Sequence, residues 1–269
     1  GYQMTKIIAE IGWNHMGDLA LAKEMISKAK DNGADYVKFQ TWSVDRLKPG
    51  PWDEDGRTEI YKKAELSKSD HISLKKFSES YGIPFFSSVF SIEDAKLLSE
   101  IGVDTVKIAS FESRNVELIT FCYYHFDKIY LSTGTSSVEE IRDTLRTLDK
   151  WKFVILHCVS SYPLDYDNCN LPRIKTLREF FPNVGYSDHT PGIEGTKISL
   201  EHNPCVIEKH FTTDNNLPGR DNKFSILPEQ LKELNDYIEM KRQMNTDCGD
   251  GYLKCEQEAR DIMTGRFNG

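Results

Sequence analysis

Short apolar runs alternate with amphipathic segments along almost the whole chain of 269 residues. Nearly continuous apolar runs of this length are typical of strands buried on both faces, as in a parallel sheet. Eight strand–helix units in one chain of this size favour an α/β fold, a single (β/α)8 TIM barrel with an outer ring of helices. The strands are predicted at residues 6–12, 34–40, 83–89, 103–110, 128–134, 153–159, 184–188 and 205–212.

An open, doubly wound sheet is the alternative arrangement for alternating strands and helices. It would usually place a glycine-rich phosphate-binding turn, GxGxxG, directly after the first strand. The residues at that point are Gly12, Trp13, Asn14 and His15, which do not have this pattern. The sequence therefore favours the barrel.

The barrel is predicted over residues 5–245, between a lead at residues 1–4 and a polar tail at residues 246–269. The lead is interpreted as a remnant of expression. The tail is too short for a second hydrophobic core, although a short helix is predicted at residues 256–263. Within the barrel, residues 41–67 are predicted to be a long polar connection, followed by a helix with Ser69 or Asp70 as its N-cap.

The composition excludes several classes of partner. The net charge is -8 and the pI is about 5.5, so the chain has no basic footprint for nucleic acid or an anionic membrane. It has neither a transmembrane run nor a signal peptide, and its six cysteines form no CxxC pair, which predicts a cytoplasmic protein with reduced thiols. The spacing of Cys248 and Cys255 does not fit a zinc ribbon.

The carboxyl ends of barrel strands form the active site, and here they carry many polar side chains. Lys38 and Lys107 lie within apolar runs, where a charge is costly unless it is paired or used. A structural ion pair would explain one such lysine, but two that converge beside hydroxyls are what a phosphate or carboxylate site needs. The other polar candidates are Glu10, Gln40, Ser88, Ser110, Glu112, Ser132, Ser161, Tyr162 and Ser187.

Two histidines, His189 and His210, follow the last two predicted strands. A single histidine there is more often a core residue, but adjacent strands would place these two side by side at the same end of the barrel. Neutral imidazoles in that arrangement suit Mn²⁺, Zn²⁺ or Fe²⁺. Asp188 and Glu208 are near enough in sequence to orient these ligands or to add one.

Eight motifs occur in a fixed order between about residues 7 and 234: EIGWNHMGD, VKFQ, VKIASFE, LSTG, HCVSSYP, GYSDHT, VIEKHFT and LPGRD. With this set the chain resembles the sialic acid (N-acetylneuraminate) synthase family, which includes legionaminate and pseudaminate synthases and spore-coat polysaccharide relatives. The resemblance implies an enzyme that condenses phosphoenolpyruvate with an N-acylated hexosamine, such as N-acetylmannosamine or a 2,4-diacetamido-trideoxyhexose. The products would be a nine-carbon 2-keto-3-deoxy sugar acid and phosphate.

The resemblance also implies roles for individual residues. His189 and His210 would hold a divalent metal, with Mn²⁺ expected and Mg²⁺ or Co²⁺ as alternatives. The phosphoenolpyruvate site would be lined by Lys38, Ser88, Lys107, Ser110, Ser132, Ser161 and Ser187. The side chains that face the sugar or handle protons would be Glu10, Gln40, Glu112, Tyr162 and Asp221.

This chemistry suits the residue types. The metal would act as a Lewis acid on the aldehyde, which carbon 3 of phosphoenolpyruvate attacks. Cationic character then develops at carbon 2, where water adds. Glu10 or Glu112 would stabilise that charge or activate the water, and lysines such as Lys107 would hold the departing phosphate.

The sequence departs from the family pattern at Ser88, Ser161 and Arg220, where family members often have Thr, Asn and Pro. Members also typically carry a C-terminal antifreeze-like domain, which in a swapped homodimer supplies an arginine to the partner's sugar site. We expect a homodimer, no such domain in this chain, and a sugar site that is open on one side. Arg260 or Arg266 in the tail could substitute for the missing arginine.

Two other functions stay open at this point. A class I aldolase would use Lys107 as a Schiff-base nucleophile, because a buried lysine can have a lowered pKa. That reaction does not explain the paired histidines. A degenerate barrel could serve as a binding subunit, although it would not need to keep the polar groups at the strand ends.

Overall fold

The computed structural model describes residues 4–51 and 53–269. Its strands are β1 (Lys6–Gly12), β2 (Tyr36–Thr41), β3 (Phe85–Val89), β4 (Thr105–Ile108), β5 (Lys128–Ser132), β6 (Phe153–His157), β7 (Val184–Asp188) and β8 (Val206–His210). Each strand pairs in parallel with the next, and β1 also pairs with β8, so the sheet closes into a barrel. The predicted (β/α)8 fold is confirmed.

Helices lie around the barrel and cover the outer faces of the strands. The bounds of β1 and β7 are those predicted from the sequence, whereas most of the other predicted strands extend beyond the observed ones. The helices are α1 (Leu19–Asp31), α2 (Arg57–Ala64), α3 (Lys68–Ser80), α4 (Ile92–Glu100), α5 (Val116–His125), α6 (Val138–Thr144), α7 (Arg173–Arg178), α8 (Glu194–Ser199) and α9 (Pro228–Met244).

The predicted polar connection at residues 41–67 contains helix α2, so that prediction is wrong in part. The helix follows Gly56, whose φ of 89° lies in the left-handed region that favours glycine. Ala64 is the one buried residue of α2. A helix that buries so little apolar surface has only a weak 3.6-residue pattern, which explains why the sequence did not reveal it.

Helix α3 begins earlier than predicted because its N-cap is Ser67, not Ser69 or Asp70. The Ser67 hydroxyl accepts a hydrogen bond from the Asp70 amide, and the Asp70 carboxylate accepts one from the Ser67 amide. This reciprocal pair is a capping box, which satisfies two amides that the first helical turn leaves without partners.

Three aromatic rings form a layer inside the barrel. Tyr36, Phe86 and Tyr130 contact one another with centroid distances of 6.0, 6.5 and 5.1 Å. Each precedes a lysine or serine of its own strand by two positions, and side chains two apart share one face of a strand. The rings therefore close the barrel interior beneath the polar side chains at its carboxyl end.

A buried ion pair joins β7 and β8 on the outer face of the barrel. The Lys209 ammonium lies 3.0 Å from the Asp188 carboxylate, and these side chains are 3% and 0% exposed. Thr190 and Thr196 also donate hydrogen bonds to this carboxylate. Burial would raise the pKa of Asp188, but Lys209 and the threonines outweigh burial and hold it below its usual value. Asp188 is therefore ionised, and its negative charge is compensated by the Lys209 ammonium.

The predicted tail, residues 246–269, is exposed throughout. It contains two short helical turns, Lys254–Glu256 and Ala259–Met263, and the second lies within the predicted helix at residues 256–263. Neither Cys248 nor Cys255 forms a disulfide. None of the described helices combines the length and apolar character that a membrane crossing requires.

The Asp188–Lys209 pair gives a prediction about stability. Lys209→Met leaves Asp188 buried without its cation, which should cost about 3–5 kcal/mol in the free energy of unfolding. Chemical denaturation of the variant and the parent chain measures this loss. The control is Lys232→Met, which removes the lysine of an exposed pair with Asp236 and should change stability far less. Equal losses in the two variants would contradict the importance of the buried pair.

Candidate active site

A polar cavity of about 260 Å³ opens at the carboxyl ends of the strands. We call it the reaction cavity. It brings together twelve of the fourteen candidate residues from the sequence, all except Glu112 and Asp221. Its lining is Glu10, Lys38, Gln40, Ser88, Phe90, Lys107, Ala109, Ser110, Phe111, Ser132, Cys158, Ser160, Ser161, Tyr162, Ser187, His189, Glu208 and His210.

Strand alternation decides which residues reach the cavity. Glu208 and His210 are two positions apart on β8 and both line the cavity, whereas Lys209 between them faces outward. The same rule separates His189 from Asp188. Asp188, considered from the sequence as a ligand or orienting group for the histidines, is instead the partner of Lys209.

Four charged side chains alternate in sign across the floor of the cavity. The Lys38 ammonium lies 2.9 Å from Glu10 Oε2 and 3.4 Å from Glu208 Oε2, and the Lys107 ammonium lies 2.5 Å from Glu208 Oε1. Each of the four side chains is at most 6% exposed. This cluster, which we call the charge quartet, balances two positive charges against two negative ones.

The quartet sets the protonation of its members. Burial would lower the pKa of Lys38, but Glu10 and Glu208 outweigh burial and raise it. Burial would raise the pKa of Glu208, but the two lysines and a hydrogen bond from Ser187 hold it well below its usual value. Burial lowers the pKa of Lys107, and Glu208 opposes that shift. We conclude that Lys38 is a cation and Glu208 an anion at neutral pH.

In the sequence, Glu208 was considered as a possible ligand or orienting group for the histidines, and its ion pairs with the two lysines were not predicted. It accepts from Ser187 Oγ at 2.8 Å and joins both lysines of the quartet. The sequence did contain a feature that places Glu208 in the cavity. Glu208 is two positions before His210 on the same strand, and residues at that spacing point to the same side. Ser160 also lines the cavity and was not among the candidates.

Serine hydroxyls surround the quartet. Ser88 Oγ accepts a hydrogen bond from Lys38, and Ser110 Oγ accepts one from the Gly134 amide at 3.1 Å. A Cβ at Gly134 would lie 2.2 Å from Ser160 Oγ and 2.8 Å from Ser110 Oγ, so glycine is required for the serines to approach. Ser132 Oγ is buried with no hydrogen-bond partner in the described part of the chain, and it is available to a ligand oxygen.

Glu10 and Gln40 form the side of the cavity next to β2. Gln40 Nε2 donates to Glu10 Oε1 at 2.7 Å. Gly12, at the end of β1, has a φ of 56°, and a Cβ there would lie 3.1 Å from Glu10 Oε1 and 3.2 Å from Gln40 Nε2. The absence of a side chain at this turn therefore lets the carboxylate and the carboxamide meet.

The two histidines face each other across the opposite side, with ring centroids 6.1 Å apart. His189 Nδ1 lies 3.0 Å from the Val159 carbonyl and must donate to it, which leaves Nε2 with a lone pair. Burial, helped by the nearby His210, lowers the pKa of His189 to about 4, so this ring is neutral. His210 Nδ1 is buried, with no hydrogen-bond partner among residues 4–51 and 53–269.

Tyr162 packs against both histidines, with ring centroids 5.1 Å from His189 and 5.2 Å from His210. Burial raises the pKa of its phenol, so the hydroxyl keeps its proton. The oxygen is buried and has no hydrogen-bond partner within the described residues. Tyr162 therefore offers an uncommitted donor beside the two imidazoles.

The last two candidates lie outside the cavity lining. Asp221 Oδ2 accepts from Trp13 Nε1 at 2.6 Å and lies 4.0 Å from His210 Nδ1, beyond hydrogen-bond distance. Glu112 follows β4 in a short helical turn, where its Oε2 accepts from Asn115 Nδ2 at 2.9 Å. Of the two acids considered from the sequence for the water step, Glu10 is the one in the cavity.

Comparisons with known proteins agree with this geometry. The model of the NeuB family matches residues 25–250. The N,N'-diacetyllegionaminic acid synthase of Legionella pneumophila is 39% identical over 267 residues, which cover 92% of this chain and 74% of that protein. The N-acetylneuraminate-9-phosphate synthase of Drosophila melanogaster is 34% identical, over 85% of this chain and 65% of that protein.

A solved structure is similar over the full length. The N-acetylneuraminic acid (sialic acid) synthetase of Leptospira borgpetersenii, in complex with citrate, superposes with a TM-score of 0.85 at 34% identity. The match covers 100% of this chain and 94% of that one. Family model, relatives and fold agree, and the chain belongs to the NeuB family as an enzyme of the sialic acid synthase type.

Proposed function

We propose that this enzyme condenses phosphoenolpyruvate with the aldehyde of an N-acylated hexosamine, giving a nine-carbon 2-keto-3-deoxy sugar acid and phosphate. The observation that carries the proposal is the reaction cavity, which joins two buried lysines, open serine hydroxyls and two facing histidines at one end of the barrel. The names of the relatives, a synthase of N,N'-diacetyllegionaminic acid and a synthase of N-acetylneuraminate 9-phosphate, support it.

Phosphoenolpyruvate binds over the charge quartet in this proposal. Lys38 and Lys107 donate to its phosphate or carboxylate, and the partnerless Ser132 hydroxyl donates to another of its oxygens. Ser88, Ser110, Ser161 and Ser187 complete the polar wall. The lysines are already neutralised by Glu10 and Glu208, so the ligand has to compete with two carboxylates for them. The same carboxylates hold the two lysine side chains in position before the ligand arrives.

The bond changes follow from the chemistry of an enol phosphate. Carbon 3 attacks the aldehyde carbon, the carbonyl oxygen takes up a proton, and carbon 2 becomes cationic. Water then adds to carbon 2 and loses a proton, for which Glu10, a carboxylate of the cavity lining, is the candidate base. The new hydroxyl on carbon 2 then loses its proton and becomes the keto oxygen as the bond between carbon 2 and the bridging oxygen breaks, and phosphate leaves with that oxygen. Holding both reactants in one cavity supplies the entropic advantage.

We also propose that His189 and His210 hold a divalent metal, with Mn²⁺ first and Mg²⁺ or Co²⁺ as alternatives. The neutral His189 ring and the unpartnered His210 Nδ1 suit a metal ligand. The described residues contain no group of three or more His, Cys, Asp or Glu arranged for a metal, so water or substrate would fill the other positions. When bound, the ion would supply Lewis acidity to the aldehyde.

A Schiff-base aldolase remains the second candidate because burial lowers the pKa of Lys107, as that chemistry needs. The close Glu208 carboxylate favours the protonated amine, which cannot attack a carbonyl. Borohydride trapping of a carbonyl substrate on Lys107 would support this candidate.

We further propose that the protein is a homodimer and that it is located in the cytoplasm. Size-exclusion chromatography with light scattering tests the dimer, and cell fractionation tests the location.

The metal proposal predicts that a chelator abolishes phosphate release and that added Mn²⁺ restores it. His189→Ala and His210→Ala should each lose Mn²⁺ binding, measured by calorimetry, while circular dichroism stays that of the parent. His125→Ala is the control because that histidine is exposed, on the outer helix α5. Full activity in a metal-stripped sample would contradict the proposal.

The phosphoenolpyruvate proposal predicts that Lys107→Met weakens binding by roughly 1.5–3 kcal/mol, or about ten- to a hundredfold in Kd. The reason is the loss of a charge-assisted hydrogen bond to an anion. Because this variant leaves Glu208 undercompensated, the double variant Lys107→Met with Glu208→Gln restores the charge balance of the quartet. Binding should stay weak in both variants when measured by calorimetry. A Kd equal to that of the parent chain would remove Lys107 from the site.

A further inference from the structure

Arg173, the first residue of helix α7, is a half-buried cation whose hydrogen-bond acceptors are all neutral. Its Nη1 donates to Thr133 Oγ1 at 3.1 Å and to His157 Nδ1 at 3.3 Å, and its Nη2 donates to the Ser136 carbonyl. Within the described part of the chain, no carboxylate forms an ion pair with this guanidinium. Because a guanidinium stays charged at neutral pH, its positive charge has no compensating neighbour.

The imidazole of His157 accepts from Arg173 because its other nitrogen is the donor. His157 Nε2 lies 2.8 Å from the Cys169 carbonyl, which can only accept, so Nε2 carries the hydrogen and Nδ1 carries the lone pair. Burial lowers the pKa of His157 to about 4, so the ring is neutral at neutral pH. The ring therefore orients the guanidinium without adding a charge of its own.

The other two acceptors lie on either side of a strained residue in the turn that follows β5. We call this turn, residues 133–136, the β5 loop. Its Thr135 has a φ of 64°, in the left-handed region that a β-branched residue rarely adopts. Such a conformation persists only where the surrounding structure holds it. Arg173 bonds Thr133 and Ser136, the two ends of the β5 loop, and so helps to fix its shape.

The β5 loop is continuous with the serine wall of the reaction cavity. Ser132, the residue before the loop, has the partnerless hydroxyl that faces a ligand in the proposed function. Gly134, inside the loop, donates its amide to Ser110 Oγ at 3.1 Å, and a Cβ there would lie 2.2 Å from Ser160 Oγ. A shift of the β5 loop would therefore move the serines that surround phosphoenolpyruvate.

The charge of Arg173 matters because the charged side chains of the reaction cavity already balance. The two lysines and two carboxylates of the quartet sum to zero, and the His189 ring is neutral. Phosphoenolpyruvate is a polyanion at neutral pH, so its binding brings unbalanced negative charge into the cavity. A cation behind the serine wall offsets part of that charge, since partly buried charges are only weakly screened by salt.

We propose that Arg173 is a positioning residue for phosphoenolpyruvate, which fastens the β5 loop and adds the positive charge that the quartet lacks. It acts through the serine wall, because its own side chain is not part of the cavity lining. This inference rests on the proposed function. It concerns the phosphoenolpyruvate side of the cavity, so the KM of the acceptor sugar should not depend on Arg173.

The test measures the Kd of phosphoenolpyruvate by calorimetry in the parent chain and in two variants. Arg173→Met removes both the cation and its hydrogen bonds, and it should raise the Kd about tenfold. Arg173→Lys keeps the cation but loses the planar fork, so its Kd should lie between those of the parent and Arg173→Met. A parent-like Kd in Arg173→Met, or a Kd in Arg173→Lys as high as in Arg173→Met, would overturn the inference. Should Arg173→Met not fold, a parent-like Kd in Arg173→Lys would overturn it.

Steady-state kinetics separate positioning from general damage to the barrel. Phosphate release is measured with N-acetylmannosamine or 2,4-diacetamido-2,4,6-trideoxymannose, whichever the parent chain uses. In Arg173→Met the KM of phosphoenolpyruvate should rise about tenfold while the KM of the acceptor stays within about twofold of the parent value. Equal rises in both constants would show a loss of structure instead and would overturn the inference.

Arg178 provides a matched control at the other end of helix α7. It is also half-buried, and its guanidinium also donates to main-chain carbonyls, those of His202 and Asn203. These two residues precede β8, at the amino end of the barrel and away from the reaction cavity. Arg178→Met should lower the stability measured by denaturation but leave the Kd of phosphoenolpyruvate unchanged. A rise in Kd equal to that of Arg173→Met would overturn the inference.

The proposed function and the inference fail in different ways. If no acceptor causes phosphate release and calorimetry detects no binding of phosphoenolpyruvate to the parent chain, the proposed function falls and the inference falls with it. If the parent chain binds phosphoenolpyruvate and releases phosphate but Arg173→Met binds it equally well, the condensation stands and only the role of Arg173 is wrong.

Discussion

The alternating charges of Lys38, Glu10, Glu208 and Lys107 are the interaction on which the site depends. Burying any one of them alone would be costly, and each is compensated by a neighbour from a different strand. The quartet therefore ties β1, β2, β4 and β8 together at the carboxyl end of the barrel. It also holds two ammonium groups in place above the layer of aromatic rings formed by Tyr36, Phe86 and Tyr130.

The motifs around the histidines have two functions because strand side chains alternate. In the sequence SDHT, Ser187 and His189 enter the reaction cavity, whereas Asp188 is buried on the outer face. In EKHFT the inward members are Glu208 and His210. The outward pair Asp188–Lys209 joins the same two strands directly behind the histidines. One short motif thus supplies both the reactive groups and part of the framework that holds them.

Much of this could be predicted from the sequence. Eight apolar runs predicted the barrel, and the polar residues at their ends predicted most of the cavity. Strand parity was not applied, so Asp188 was considered with the histidines and Glu208 was missed as a partner of the lysines. The neighbouring cavity lined by Trp13, Trp42 and Tyr61 could not be predicted, because these residues come from separate loops and from helix α2, whose pattern is weak. Contacts of that kind exist only in three dimensions.

The central claim is that the reaction cavity adds carbon 3 of phosphoenolpyruvate to an aldehyde and releases phosphate by breaking the bond at carbon 2. The most direct measurement uses phosphoenolpyruvate labelled with ¹⁸O in the bridging oxygen, together with an N-acylated mannosamine acceptor. Mass spectrometry then follows the label in both products. We predict that the released phosphate carries the label and that a nine-carbon keto acid forms in equal amount. Label in the keto acid, or a keto acid formed without phosphate release, would contradict the account.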